Sequence, residues 1–146
     1  MATIYYEALE VGESYSTGSR TVTEEEIIEF ASKYDPQSFH IESEAAEESI
    51  YDDLIASGWH TASITMQLFV NRLLEDVAVV GAVGVDELRW RNPVYGGDEL
   101  SITTTVENKE CWDDQKGLVT FDLEAINQNN EIVITRTDLV LIEHGP

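Results

Sequence analysis

Two periodicities divide the chain. Up to about Leu74 the apolar residues recur at helical spacing, and from Val79 onward they alternate. The first clear element is a helix in which Ile27, Phe30, Ala31 and Tyr34 share a face. Thr23 and Glu26 form a T-x-x-E capping box at its start, and Val22 is placed to staple onto Ile27. Pro36 disfavours helical backbone at Asp35, so this helix should stop near Tyr34 and leave Asp35 to His40 as a loop. A short second helix is expected from about Ser43.

Ile55 to Leu74 contains no acidic residue, where the chain average would place about four. Ile64, Leu68, Met66, Phe69 and Leu73 suit a buried helix covered nearly all round, with Gly58 at or near its beginning. Its Ser, Thr, His, Gln, Asn and Arg72 argue against a membrane span. Further on, Leu100, Ile102, Thr104 and Val106 alternate, then Val119, Phe121, Leu123 and Ala125, and Ile132 to Ile142 reads as another strand. Gly96-Gly97-Asp98 and Asn127 to Asn130 are turn-rich, and links this short imply antiparallel neighbours. The expectation is a single α+β domain over residues 1–146, with a sheet covering one buried helix.

Composition narrows the partners. The chain has 29 acidic against 8 basic residues, a formal charge of −21. Nucleic acid and anionic membrane both need clustered cations, and neither is an expected partner. The acids are dispersed from Glu7 to Glu143, and only Lys33, Lys109 and Lys116 are lysines. Such a coat repels itself in dilute buffer and is screened at molar salt, which suits a protein of a halophile. Cys111 is alone, so neither an intrachain disulfide nor a cysteine zinc site can form. The first seven residues lack the basic and apolar regions of a signal peptide, giving a cytoplasmic expectation.

Two segments could carry chemistry. Tyr34-Asp35-Pro36-Gln37-Ser38-Phe39-His40 puts a carboxylate and an imidazole on a proline-stiffened turn, where they could hold one water for acid–base work. By itself the segment reads first as a helix-terminating turn with a surface histidine. Ala56-Ser57-Gly58-Trp59-His60 opens the buried helix, whose free amides could stabilise an oxyanion. The alternative there is a glycine needed for close packing, with Trp59 and His60 in the core. Glu24-Glu25-Glu26 suits the positive end of a helix better than a metal, so no metal is expected. Arg89 and Arg91 could meet phosphates or pair locally, and His144 should be exposed.

Three segments in order resemble the MaoC-like acyl dehydratases, a family that includes the (R)-specific enoyl-CoA hydratases: Phe30 to His40, Ile55 to Thr61, and Asn92-Pro93-Val94-Tyr95-Gly96-Gly97-Asp98-Glu99-Leu100. The resemblance implies a hot-dog fold, a long helix wrapped by an antiparallel sheet. It also implies that Asp35 and His40 are the catalytic pair of the family's D-x-N-P-x-H motif, whose spacing they keep, with Gln37 in place of its asparagine and Ser38 in place of its proline. Gly58 matches the glycine whose amide binds the thioester oxygen. The implied reaction is reversible hydration of a trans-2-enoyl-CoA to an (R)-3-hydroxyacyl-CoA, with the CoA thioester as substrate, no cofactor, and a homodimer or dimer-based oligomer. Rival readings are a hot-dog thioesterase, which commonly places an acid on the central helix, and a non-catalytic acyl-CoA-binding subunit.

The dispersed charge makes a direct prediction about salt. Resistance to unfolding should rise as KCl is raised toward about 2 M. Full stability in dilute buffer would rule out salt adaptation.

Overall fold

The computed structural model describes residues 2–146; Met1 lies outside them. The strands are β1 (Ser14–Ser16), β2 (Arg20–Thr21), β3 (Val79–Trp90), β4 (Glu99–Cys111), β5 (Lys116–Ile126) and β6 (Ile132–Glu143). The helices are α1 (Glu24–Tyr34), α2 (Ser38–Ile41), α3 (Ser43–Glu47) and α4 (Gly58–Arg72). The sheet runs β1-β4-β5-β6-β3, with β2 also on β4, and every pairing is antiparallel. Helix α4 packs against this sheet.

The N-terminal boundary of α1 forms as its sequence dictates. Glu26 N donates to Thr23 Oγ1 at 3.2 Å, and Thr23 N donates to Glu26 Oε1 at 3.0 Å. Glu26 also pairs with Arg20 at 3.0 Å, which ties the helix start to β2. The helix ends at Tyr34, before Pro36. The segment from Asp35 to His40, expected as a loop, is helical in its second half. Ser38 to Ile41 form α2, because Pro36 constrains only the residue before it and leaves Ser38 onward free to turn.

Helix α4 departs from the expected all-round cover. Thr61, Ile64, Thr65 and Phe69 face the sheet, and Phe69 meets Phe121 edge to face at 5.2 Å. The sheet covers only one side of the helix, and Trp59, Ser63, Met66 and Gln67 lie on an open face. Lack of acids marked a helix that avoids charge, not one that is enclosed.

Two features escaped the sequence patterns. Strands β1 and β2 are too short and polar to show alternation; β1 is held to β4 by backbone pairing and by hydroxyl pairs, Ser14 to Thr105 at 2.8 Å and Ser16 to Thr103 at 3.1 Å. On β6 the inward face reads Ile134, Arg136, Asp138, Val140, Ile142, so an ion pair sits inside the core. Arg136 Nε meets Asp138 Oδ1 at 2.9 Å, and Arg136 Nη1 donates to Ala62 O at 3.0 Å and Thr65 Oγ1 at 2.6 Å. Burial pushes the Asp138 carboxyl upward against the pull of the guanidinium. The pair fastens α4 to the sheet through hydrogen bonds that hydrophobic contact alone would not orient.

Candidate active site

The expected site residues converge. A cavity of about 540 Å³ is lined by Asp35, Gln37 and His40 from the turn after α1 and by Ile55, Gly58 and Thr61 from the start of α4. Trp90 to Val94 close another side. The third sequence motif therefore supports the other two. Ala56 N donates to Val94 O at 2.8 Å, and Ile55 bridges Tyr95, which fixes the approach to α4. The turn beyond Tyr95 is held by Asp98, whose Oδ2 accepts from Tyr95 N at 2.9 Å, while Gly97 takes a φ of +91°.

The two chemical groups face each other. Asp35 Oδ2 lies 3.3 Å from His40 Nε2, both side chains largely buried. His40 Nδ1 is 2.7 Å from Ile55 O. A carbonyl can only accept, so Nδ1 carries a proton and Nε2 is the ring nitrogen that faces the carboxylate. Burial pushes the Asp35 carboxyl up, but hydrogen bonds to Ser57 and Gln37 and the nearby His40 outweigh it and hold its pKa below the usual value. The carboxylate is thus an anion at neutral pH, with His40 Nε2 beside it.

Gly58 is the first residue of α4, capped by Ser57, whose Oγ accepts from Trp59 N at 3.3 Å. Its own N–H finds no acceptor among the described residues, as expected of a first-turn amide. The glycine also has a packing reason. Trp90 Nε1 donates to Gly58 O at 2.8 Å, and a Cβ at position 58 would collide with the Trp90 indole. Position 58 thus combines a first-turn amide without an acceptor among the described residues with a packing reason for glycine.

Other candidates resolve differently. His60 is buried and stacks on Phe30, with ring centroids 4.7 Å apart, and its Nδ1 has no partner among the described residues. Burial pushes its pKa down, with Glu26 opposing and Arg20 reinforcing. It packs α4 on α1 and does not line the cavity. His144 is half-buried and not free, its Nδ1 lying 2.7 Å from Glu7 Oε2. Arg91 lines the cavity, whereas the Arg89 guanidinium turns back to Leu88 O at 3.0 Å. Glu24, Glu25 and Glu26 occupy the first turn of α1. Among the described residues no three His, Cys, Asp or Glu side chains converge as metal ligands, and no helix is long and apolar enough to cross a membrane.

The profile of the MaoC-like domain matches residues 7–129. The chain belongs to the MaoC-like dehydratase family. A MaoC-like dehydratase from Rhodospirillum rubrum is 36% identical, with a TM-score of 0.87 over 98% of this chain and 99% of that one. A structure described as a monoamine oxidase regulatory protein from Archaeoglobus fulgius is 31% identical, with a TM-score of 0.93 over 100% and 98% of the two chains. An R-hydratase from Pseudomonas aeruginosa is 21% identical and shares the fold, with a TM-score of 0.80 over 98% and 88%. The MaoC-like chain thus has the hot-dog fold, its central helix packed against the antiparallel sheet.

Sequence reasoning missed Trp90, because an aromatic at a strand end carries no signal of what it touches. The contact makes a prediction for this MaoC-like chain. Gly58→Ala should be destabilising by about 1–3 kcal/mol through overpacking. Adding Trp90→Ala should relieve that clash, making the two changes non-additive in a denaturation double-mutant cycle. Strict additivity would show that the indole is not what excludes a side chain at position 58.

Proposed function

We propose that this MaoC-like chain adds water reversibly across a trans-2-enoyl-CoA to give an (R)-3-hydroxyacyl-CoA. The observation that carries this reading is the 3.3 Å approach of Asp35 Oδ2 and His40 Nε2 at the cavity wall, with His40 Nδ1 committed to Ile55 O. With Nε2 unprotonated in the reacting state, one water can donate one O–H to Asp35 Oδ2 and the other to His40 Nε2. Its oxygen then has lone pairs free for C3 of the enoyl group.

As the C–O bond forms, Asp35 takes a proton from the water. A carboxyl held below its usual pKa gives that proton up readily, and His40 Nε2 is the adjacent acceptor. His40 delivers it to C2, so oxygen and proton add across the double bond and both side chains return to their starting state. Between these steps the charge resides on the thioester oxygen, where the Gly58 N–H at the positive end of α4 stabilises it. The route needs no cofactor. A thioesterase is less well supported, because α4 offers no carboxylate from Gly58 to Arg72.

Crotonyl-CoA in about 2 M KCl tests the reaction. Loss of the enoyl absorbance with formation of the (R)-3-hydroxy product is expected. Asp35→Asn and His40→Ala should each fold and lose about 10²- to 10⁴-fold in rate. Folded wild-type chain inert toward crotonyl-CoA and longer enoyl-CoAs would overturn the hydratase reading, and release of free thiol would favour hydrolysis.

We also infer a homodimer formed through β3. Among the described residues this strand pairs only with β6, and Val79, Val80, Val83 and Val85 are 39–52% exposed in a segment without acids. A free apolar edge on so acidic a chain invites a second strand. Trp59 and Met66 are further exposed apolar side chains, on the open face of α4, and Trp59 meets Trp90 at the end of β3. Light scattering in the same salt should give about twice 16.4 kDa, and Val83→Asp should shift the chain toward monomer. A monomeric wild-type chain would exclude this assembly.

A further inference from the structure

We propose that Gln37 is a positioning residue that clamps Asp35 for the reaction, a reading that rests on the proposed hydratase function. Gln37 Nε2 donates to Asp35 Oδ1 at 2.7 Å, leaving Oδ2 to face His40. The backbone of Gln37 joins the same two residues: its N–H donates to Asp35 O at 2.7 Å, and its C=O accepts from His40 N at 3.0 Å. One residue thus spans the pair with three hydrogen bonds, two of the backbone and one of the side chain.

The side-chain bond has no evident purpose in folding. Gln37 occupies the N-cap position of α2, yet its side chain makes no capping bond. It is exposed, so holding it in place sacrifices rotamer freedom while burying little surface. What the bond does is electronic and geometric. It engages one oxygen of a carboxylate that could otherwise rotate, and its donor favours the anion. Gln37 also lines the cavity wall beside Asp35.

The effect has a definite sign. Removing the amide donor raises the pKa of Asp35, so a rate that requires its anion loses activity from the acid side first. In the full-length chain, Gln37→Leu should lower kcat about tenfold or more with little change in KM, and move the acid limb of the kcat/KM profile up by about half a pH unit or more. Gln37→Asn, which keeps the amide on a shorter arm, should recover part of both. A substrate-free readout runs in parallel: the ¹³C-carboxyl titration of Asp35, assigned by its loss in Asp35→Asn, should shift upward in Gln37→Leu. An unmoved titration overturns the clamp whether or not the wild-type chain turns over enoyl-CoA, and so does an active Gln37→Leu with wild-type kcat and acid limb. A shifted titration in a chain inert toward enoyl-CoA would uphold the clamp on Asp35 and reject the hydratase reading.

Discussion

The hydrogen bond from His40 Nδ1 to the carbonyl of Ile55 is the contact on which the site depends. It joins the turn after α1 to the segment entering α4, two stretches fifteen residues apart in sequence. It also fixes which ring nitrogen carries hydrogen, so that the other is presented beside Asp35. Without it, the same carboxylate and imidazole would lie on one turn with no defined relation to the helix end. Ala56 N to Val94 O extends the same logic to the third motif, so the cavity is framed by backbone hydrogen bonds between separate stretches of chain. Backbone carbonyls and amides are strong, fixed partners, which makes this frame stiffer than one built from surface ion pairs.

Helix α4 needs a comparable anchor on its other side. The sheet supplies it through Arg136, whose guanidinium reaches a helix carbonyl and a helix hydroxyl while paired with Asp138. Removing two charges from water is unfavourable, and Asp138 registers this in its upward shift. What the arrangement gains is orientation: hydrogen bonds fix where the helix lies along the strands. The depth of Gly58 in the cavity wall depends on that placement as well as on the Trp90 contact.

Much of this was legible from the chain, and the exceptions have physical causes. The capping box and Pro36 marked both ends of α1 because they act through local sterics and hydrogen bonding. The alternation of β4, β5 and β6 was visible because one face of each meets a core. Strands β1 and β2 were invisible because their stability comes from a partner strand, not from their own pattern. The burial of Arg136 and Asp138 ran against the ordinary expectation for charged side chains, and only the partner each makes inside the fold explains it. At the site, the Asp35–His40 spacing pointed to a shared turn, whereas the packing of Trp90 on Gly58 and the reach of Gln37 to Asp35 are contacts with no sequence period.

The edge-to-face pair of Trp59 and Trp90, with centroids 5.2 Å apart, has an optical consequence. The chain contains three tryptophans, and both members of this pair line the cavity. Trp112, the third, is half exposed at the end of the β4–β5 hairpin. Indole emission depends on local polarity and on neighbouring quenchers, so the intrinsic fluorescence is weighted toward the cavity wall. The chain carries its own lamp at the place where a ligand would displace water, with a distant tryptophan as a reference.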